Sequence, residues 1–343
     1  MITREEAKDL RMHNTFRMKA RCAAFVEYDT VDDIFHIDFT FLPKPVRSIG
    51  AGSNLLITKD FPGTLLHSRI RFLREIASHD DDVLVEAGAG VPFDSFVDWS
   101  CSLRLWGAEN LSRIPGDVGA AAVQNIGAYG VEVSDIIVRV NCFDCKERKM
   151  VTFEKKDCMY GYRDSYFKSH DSEGRYIVTS VLFKLTREKS PRLDYGNLRE
   201  LVGSKTIFAP NDVRKVINSI RAEKYPDPKV MGNAGSFFMN PVVTDEKFRE
   251  IEELERRENG AEAEVPHVNI PGGVRIHAAW LIDRCGLKGM ENGGAAVFEN
   301  QPLVLVNKTG KATARDVLEL EATIRDTVME RFGVELQAEV EHI

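Results

Sequence analysis

Few residues of this chain are suited to chemistry, and one serine leads them. Ser236 lies in Gly232-Asn233-Ala234-Gly235-Ser236-Phe237-Phe238-Met239-Asn240-Pro241, a hydroxyl between a glycine and two phenylalanines. Such neighbours hold a hydroxyl in a restricted, mostly apolar place, where it either satisfies backbone groups in a core or delivers a proton. No histidine stands near it in sequence to make it a nucleophile, so its chemical reading is proton donation. Arg163, in Tyr160-Gly161-Tyr162-Arg163-Asp164-Ser165, sets a guanidinium among aromatics in a loop, a geometry suited to a carboxylate or phosphate. Taken alone, it reads first as a salt-bridged loop residue. Arg221 and Lys224 open a cationic run at the end of a helical pattern, where the helix dipole favours them and a bound diphosphate would too. Cys142-Phe143-Asp144-Cys145 is the one C-x-x-C; at a strand end and without a second pair, it suits neither redox chemistry nor zinc.

Two glycine-rich stretches must position these groups. Ser112 to Gly130 carries Pro115, Gly116, Gly119, Ala120, Gln124, Asn125, Ile126, Gly127, Ala128, Tyr129 and Gly130, with hardly a charge. Glycine adds nothing to a core and loses backbone entropy, so its clustering marks a close approach to the main chain. A flat anionic cofactor lying on backbone N–H groups explains it, and so does a tight helix-to-strand contact. The second stretch, Gly50-Ala51-Gly52-Ser53-Asn54, follows a strand and precedes Leu55-Leu56-Ile57. It lacks the third glycine and the helix of a dinucleotide fingerprint, which disfavours a Rossmann fold, but its turn can still form a nest for a pyrophosphate.

Around these stretches the periodicity predicts strands over 25–28, 46–49, 83–87, 136–143, 149–153, 176–185 and 302–306. Alternation of Phe35, Ile37 and Phe39 predicts another, and 334–343 a closing one. Helices are expected after Pro92, over 211–223, over the highly charged 245–258, over 278–285 and over 313–332. Pro226 and Pro228 mark a domain boundary.

With 53 acidic against 46 basic residues in 343, the net charge of −7 excludes a general nucleic-acid binder, and an anionic ligand must be held by a local cluster. The first residues carry no apolar run, no stretch reaches the length of a membrane span, and six irregularly spaced cysteines suit a reducing compartment. The expectation is a cytoplasmic protein with no membrane or nucleic-acid partner and no metal.

Together, and in this order, these motifs closely resemble the UDP-N-acetylenolpyruvoylglucosamine reductase family across nearly the whole chain. The match includes Asn14-Thr15-Phe16, Gly50–Asn54, Ile114–Gly130, Tyr162–Ser165, Gly232–Phe238, Trp280–Asp283 and Glu339-Val340. The resemblance implies an α/β (α+β) fold: a two-lobed FAD-binding domain of the flavin oxidase/reductase type (1–66 and 67–227, completed by 333–343) and a C-terminal α+β substrate domain (228–332). It implies FAD held at Gly50–Asn54, at the Pro115–Gly130 residues named above and near Arg221. NADPH would reduce the flavin, and the enolpyruvyl nucleotide sugar would take hydride at C3 and a proton at C2 from Ser236. Arg163 and Glu339 would hold the substrate carboxylate and the charge that builds there, which asks for a protonated Glu339. Lys224, Asn240 and Gln301 match positions around the diphosphate. Tyr195, in Leu193-Asp194-Tyr195-Gly196-Asn197, matches the tyrosine of a loop that covers substrate in the longer variety of these enzymes. The resemblance further implies a monomer. A flavin-linked oxidase of the same broad fold, which would not need Ser236 or Tyr195, and a non-catalytic nucleotide-sugar binder, which could lose Ser236 and Glu339, are the alternatives. Glu341 and His342, after Glu339, depart from the family's pattern.

Overall fold

A computed structural model describes residues 1–169, 174–196, 198–203 and 207–343. The chain folds as two compact units, one of Met1–Asp9, Arg21–Gly52 and Asp60–Ala222, the other of Leu10–Ala20, Ser53–Lys59 and Glu223–Ile343.

The first unit holds two large sheets and, among the described residues, a small two-stranded one of Gly127–Ala128 and Val131–Glu132. One large sheet has the strand order Ile2–Asp9, Arg21–Tyr28, Phe61–Ser68, Val46–Ile49, its first pair antiparallel and the others parallel. The other large sheet is wholly antiparallel, ordered Lys149–Glu154, Ile137–Asp144, Tyr176–Thr186, Asp82–Gly88, Leu73–His79. Helix Phe93–Ser102 covers the latter because Phe93, Phe96 and Val97 recur on one face; all three are fully buried against Val83, Val85 and Phe183. Phe96 stacks on Phe183 with ring centroids 4.4 Å apart.

The expected strand over Phe35, Ile37 and Phe39 is instead the short helix Val31–His36 and the segment after it. The reason is local. Thr30 Oγ1 accepts from Asp33 N–H while the Asp33 carboxylate accepts from Thr30 N–H, a reciprocal cap that starts a helix where the apolar alternation alone suggests a strand. Phe35 and Phe39 both still reach the Phe143 ring.

The second unit contains a four-stranded antiparallel sheet in the order Gly232–Ser236, Val304–Asn307, Ala295–Val297, Glu291–Asn292, and a three-stranded one of Val242–Val243, Gly273–Ile276 and His267–Ile270. Helix Ala314–Phe332 buries Val317, Leu320, Ile324 and Val328, the stripe read from the sequence, and starts on a reciprocal Thr313–Asp316 cap. The closing strand is shorter than expected: only Glu341–His342 forms one, parallel to Leu55–Leu56. Val334, Leu336 and Val340 are buried, but the backbone of this tail divides its hydrogen bonds between residues 237–239 and 54–58, so no single ladder forms. Those bonds all lie within the second unit, although the tail was expected to complete a flavin lobe.

Among the described residues no helix is long and apolar enough to cross a membrane. Cys142 and Cys145 are free thiols whose ionisation burial opposes, Cys145 being pushed up to about 12. That does not suit a redox pair.

Candidate active site

In the first unit the glycine-rich stretch is a helix between two turns. Val118–Gln124 is helical, entered from Gly116 at φ +115° and closed by Asn125 at φ +46°. Its start is anchored by Val118 N–H on Val91 O and Gly119 N–H on Ala89 O, at 2.9 and 3.0 Å. A Cβ on Gly119 would stand 2.9 Å from Ala89 Cβ. Glycine 119 is therefore required by helix-to-strand packing. Its neighbour Ala120 is exposed, and so are Ala51, Pro115 and Gly130.

The Gly50 turn lies against this helix. A Cβ on Gly50 would meet Ala120 Cβ at 3.1 Å and the Asp117 carboxylate at 3.2 Å, and Gly52 takes φ +63°. Gly50, Ala51 and Ala120 thus form one shallow surface of bare backbone and small side chains above Asp117, with Gly52 buried in the turn. Asp117 is buried, and desolvation lifts its carboxyl to about 6 against the opposing pull of His67, 4.0 Å away, of Arg71 and of the Ala51 N–H. Beside this surface the Gln124 amide nitrogen is buried with no hydrogen-bond partner among the described residues. An unspent buried donor next to a cradle that any larger side chain would fill fits an FAD with its phosphates on the main chain.

Asn125 and Ile126 play a different part from the turn. Asn125 is fully buried and its amide is committed within the unit: Nδ2 donates to Gly161 O and the Glu132 carboxylate, and Oδ1 accepts from Ser134 N–H. Ile126 packs on the core under the antiparallel sheet. Both shape the site from behind.

Arg163 sits at the tip of a tight turn closed by mutual Gly161 and Asp164 backbone bonds, in the left-handed region at φ +56°. A non-glycine residue held there signals a constraint that the surroundings enforce. Its Nη2 donates to Gly127 O at 2.9 Å, and its guanidinium lies 5.1 Å from the Tyr162 ring centre. A Cβ on Gly127 would meet that guanidinium at 3.0 Å. It would also stand 3.0 Å from Val131 O and 3.1 Å from Glu132 Cγ, so Gly127 is small because both the guanidinium and its partner strand crowd it.

Tyr195 is 41% exposed and stands edge-on to Tyr129, with ring centroids 6.4 Å apart and planes at 85°. A Cβ on Gly130 would meet Tyr195 Cβ at 3.1 Å. The fold therefore brings the Tyr195 loop onto the Tyr129-Gly130 end of the stretch; Asn197 of that motif lies outside the described residues. Asn110 makes the join: it is buried, and its Nδ2 donates to Tyr129 O and Arg192 O. Arg221, half-buried near the end of helix Pro210–Lys224, closes the set in this unit.

In the second unit Ser236 ends its strand half-buried, after Gly235 at φ +73°, a position with open space around it. Phe237 and Phe238 behind it are fully buried. The C-terminal tail runs alongside: Glu339 N–H donates to Phe237 O at 2.8 Å, and Met239 N–H to Gln337 O at 2.9 Å. Glu339 is thereby fixed beside the residue that follows Ser236, more than a hundred positions away in sequence, and Asn54 Nδ2 holds Glu339 O at 3.0 Å. Ser53 is half-buried on the same segment. Asn240 spends its Oδ1 on Ala278 N–H, starting helix Ala278–Arg284. Lys224 is exposed, and Gln301 turns the chain into the Val304–Asn307 strand through its backbone bond to Val304. One contact has no sequence signature: Tyr225 Oη lies 3.3 Å from Ser236 Oγ.

Comparison with known proteins bears on both units. Residues 227–343 match the family described as UDP-N-acetylenolpyruvoylglucosamine reductase, C-terminal domain, and residues 40–152 match an FAD binding domain family. The chain is 44% identical over 340 residues to a UDP-N-acetylenolpyruvoylglucosamine reductase of Bacteroides fragilis, covering 99% of this chain and 100% of that one. It is also 44% identical to the protein of the same name from Neisseria gonorrhoeae, over 96% of this chain and 95% of that one. In fold it is similar to the crystal structure of UDP-N-acetylenolpyruvylglucosamine reductase from Thermus caldophilus, with a TM-score of 0.68 at 22% identity, covering 100% of this chain and 98% of that one.

Proposed function

Because this chain belongs to the UDP-N-acetylenolpyruvoylglucosamine reductase family and is an FAD-dependent oxidoreductase, we propose that it reduces UDP-N-acetylglucosamine enolpyruvate to UDP-N-acetylmuramate at the expense of NADPH, with Ser236, Arg163 and Glu339 carrying the chemistry. When bound, FAD supplies the hydride, from N5 to C3 of the enolpyruvyl group, after reduction by NADPH. The chain's own residues manage charge and proton. Hydride addition leaves a negative charge at C2 that spreads into the adjacent carboxylate. Arg163 binds that carboxylate with a guanidinium preset by the Gly127 carbonyl, so no reorganisation is needed as charge develops. Glu339, protonated, donates to the same group, and Ser236 then delivers a proton to C2. Gly50–Asn54, Pro115, Gly116, Gly119, Ala120, Gln124–Gly130 and Arg221 hold or back the cofactor. Lys224, Asn240 and Gln301 attend the diphosphate, and Tyr195 covers the substrate. On this reading the protein is a cytoplasmic monomer that serves cell-wall precursor synthesis.

The observation that supports the reading most directly is the bond from Glu339 N–H to Phe237 O, which fixes the backbone of a carboxyl residue beside the residue that follows the half-buried Ser236. The test is Ser236→Ala. It should be reduced by NADPH at the wild-type rate, while reoxidation by the enolpyruvyl nucleotide slows by ~10²–10⁴-fold, the scale of a lost general acid. In D₂O the wild type should place deuterium at C2. Full-speed reoxidation of the alanine variant would make Ser236 a packing residue.

A further inference from the structure

We propose that Tyr225 is a positioning residue that backs the Ser236 hydroxyl and restores its proton during the reaction; the inference rests on Ser236 being the donor to C2. Two separate tethers fix the geometry. Tyr225 packs against the buried cluster of Ala296, Val304 and Val306, as Met231 and Phe298 also do. Ser236 belongs to the strand that pairs with the same Val304–Asn307 strand, and Val304 is its register partner. The chain after Tyr225 is tied back by Asn233 Nδ2, which donates to Pro226 O at 3.1 Å. Ring and hydroxyl therefore stand on a common strand, with Tyr225 Oη 3.3 Å from Ser236 Oγ. That separation is long for an O–H···O bond, as expected before substrate binds, since catalytic hydrogen bonds tighten in the reacting complex.

The chemistry explains why a phenol belongs there. An aliphatic hydroxyl is a very weak acid, and a serine that gives up its proton unaided is left as an alkoxide in a mostly apolar place. A phenol is the stronger acid. As the Oγ–H bond breaks and the C2–H bond forms, the tyrosine proton moves onto Oγ and serine is regenerated. The negative charge passes from the substrate to the phenol oxygen, which water then reprotonates, Tyr225 being only half-buried. With Tyr225 donating to Oγ, the serine's own hydrogen is left to point at the substrate.

Tyr225→Phe keeps the ring on its apolar seat and removes only the hydroxyl. In stopped-flow single turnovers the variant should be reduced by NADPH as fast as wild type. Its oxidised form should bind the enolpyruvyl nucleotide within about twofold of the wild-type affinity, whereas reoxidation of the reduced protein should slow by ~10–100-fold, less than for loss of the donor itself. In H₂O/D₂O mixtures the wild-type rate should follow a bowed curve, the mark of two protons in flight, and the variant a straight line. A wild-type rate with the bowed curve intact in Tyr225→Phe overturns the proposal. So does an equal slowing by Tyr225→Phe in a Ser236→Ala background, which would make the effect independent of the serine. A slow Ser236→Ala beside a full-speed Tyr225→Phe sinks the relay and leaves the donor standing; a full-speed Ser236→Ala sinks both.

Discussion

Replacing Gly119 with alanine separates the two explanations that the sequence leaves open for the glycine-rich stretch. If glycine stood there only to admit a cofactor, alanine would stabilise the free protein, because the position is helical and alanine is favoured over glycine by about 1 kcal/mol. The structure argues the opposite. The new Cβ would lie 2.9 Å from Ala89 Cβ, and also 3.4 Å from Ala89 O and 3.5 Å from Ala89 Cα. Ala89 is buried, and its Cβ is rigidly attached to the backbone that accepts the Gly119 N–H bond, so the helix itself must lift. Overpacking of this kind costs about 1–3 kcal/mol. Set against the helix gain, Gly119→Ala should lose up to about 2 kcal/mol, and gain nothing, in urea unfolding of the flavin-free protein. Flavin binding should weaken as well, since Ala120 and Gln124 ride on the displaced helix. The control is Ala89→Gly, which removes the 2.9 Å contact and leaves two ordinary ones. In that background Gly119→Ala should turn stabilising by up to about 1 kcal/mol, a coupling of about 1–3 kcal/mol that only touching residues show. Stabilisation by Gly119→Ala in the wild-type background would refute the packing argument.

Two further outcomes follow from the same unit. Burial raises the Asp117 carboxyl from 3.8 to about 6, so the folded state holds this proton more tightly than the unfolded chain; its favourable contribution, full below about pH 4, is lost as pH rises to about 6, up to about 3 kcal/mol in all. Asp117→Asn should therefore gain stability relative to wild type across that window and level off above it, and parallel urea-stability curves between pH 4 and 7.5 would show that the carboxyl is not desolvated. Tyr195→Phe should leave reduction by NADPH untouched and weaken use of the nucleotide sugar by roughly 1–2 kcal/mol, the worth of one hydrogen bond to a charged group; unchanged KM and kcat would make the tyrosine ordinary packing against Tyr129.

Local patterns decide much of this molecule. The helices beginning at Asp245 and Ala314 follow from apolar spacing and caps written within a few residues, and the helix at Phe93 and the strands at Asp82 and Ile137 from apolar spacing. The helix at Val31 is also local in origin: the Thr30–Asp33 cap overrides the alternation of phenylalanines. The order of motifs from Gly50 to Glu339 was enough to indicate the family, because glycine turns and a serine between glycine and phenylalanine are local features.

What the sequence could not decide is which distant groups meet. Nothing near Gly119 says that its missing side chain is filled by Ala89, and nothing near Asn110 says that its amide joins Tyr129 to Arg192. The tail looked like one strand because its burial alternates, but a strand is defined by its partner, and this one has two. Ser236 stands out from its neighbours as a candidate donor. Its pairing with Tyr225 does not, because that contact exists only once the Val304–Asn307 strand supports both. Residue type and short-range spacing specify elements and candidate chemistry, since those depend on bonds within a few residues. Partners, packing and the setting of each proton depend on contacts across the whole chain, and only the tertiary structure decides them.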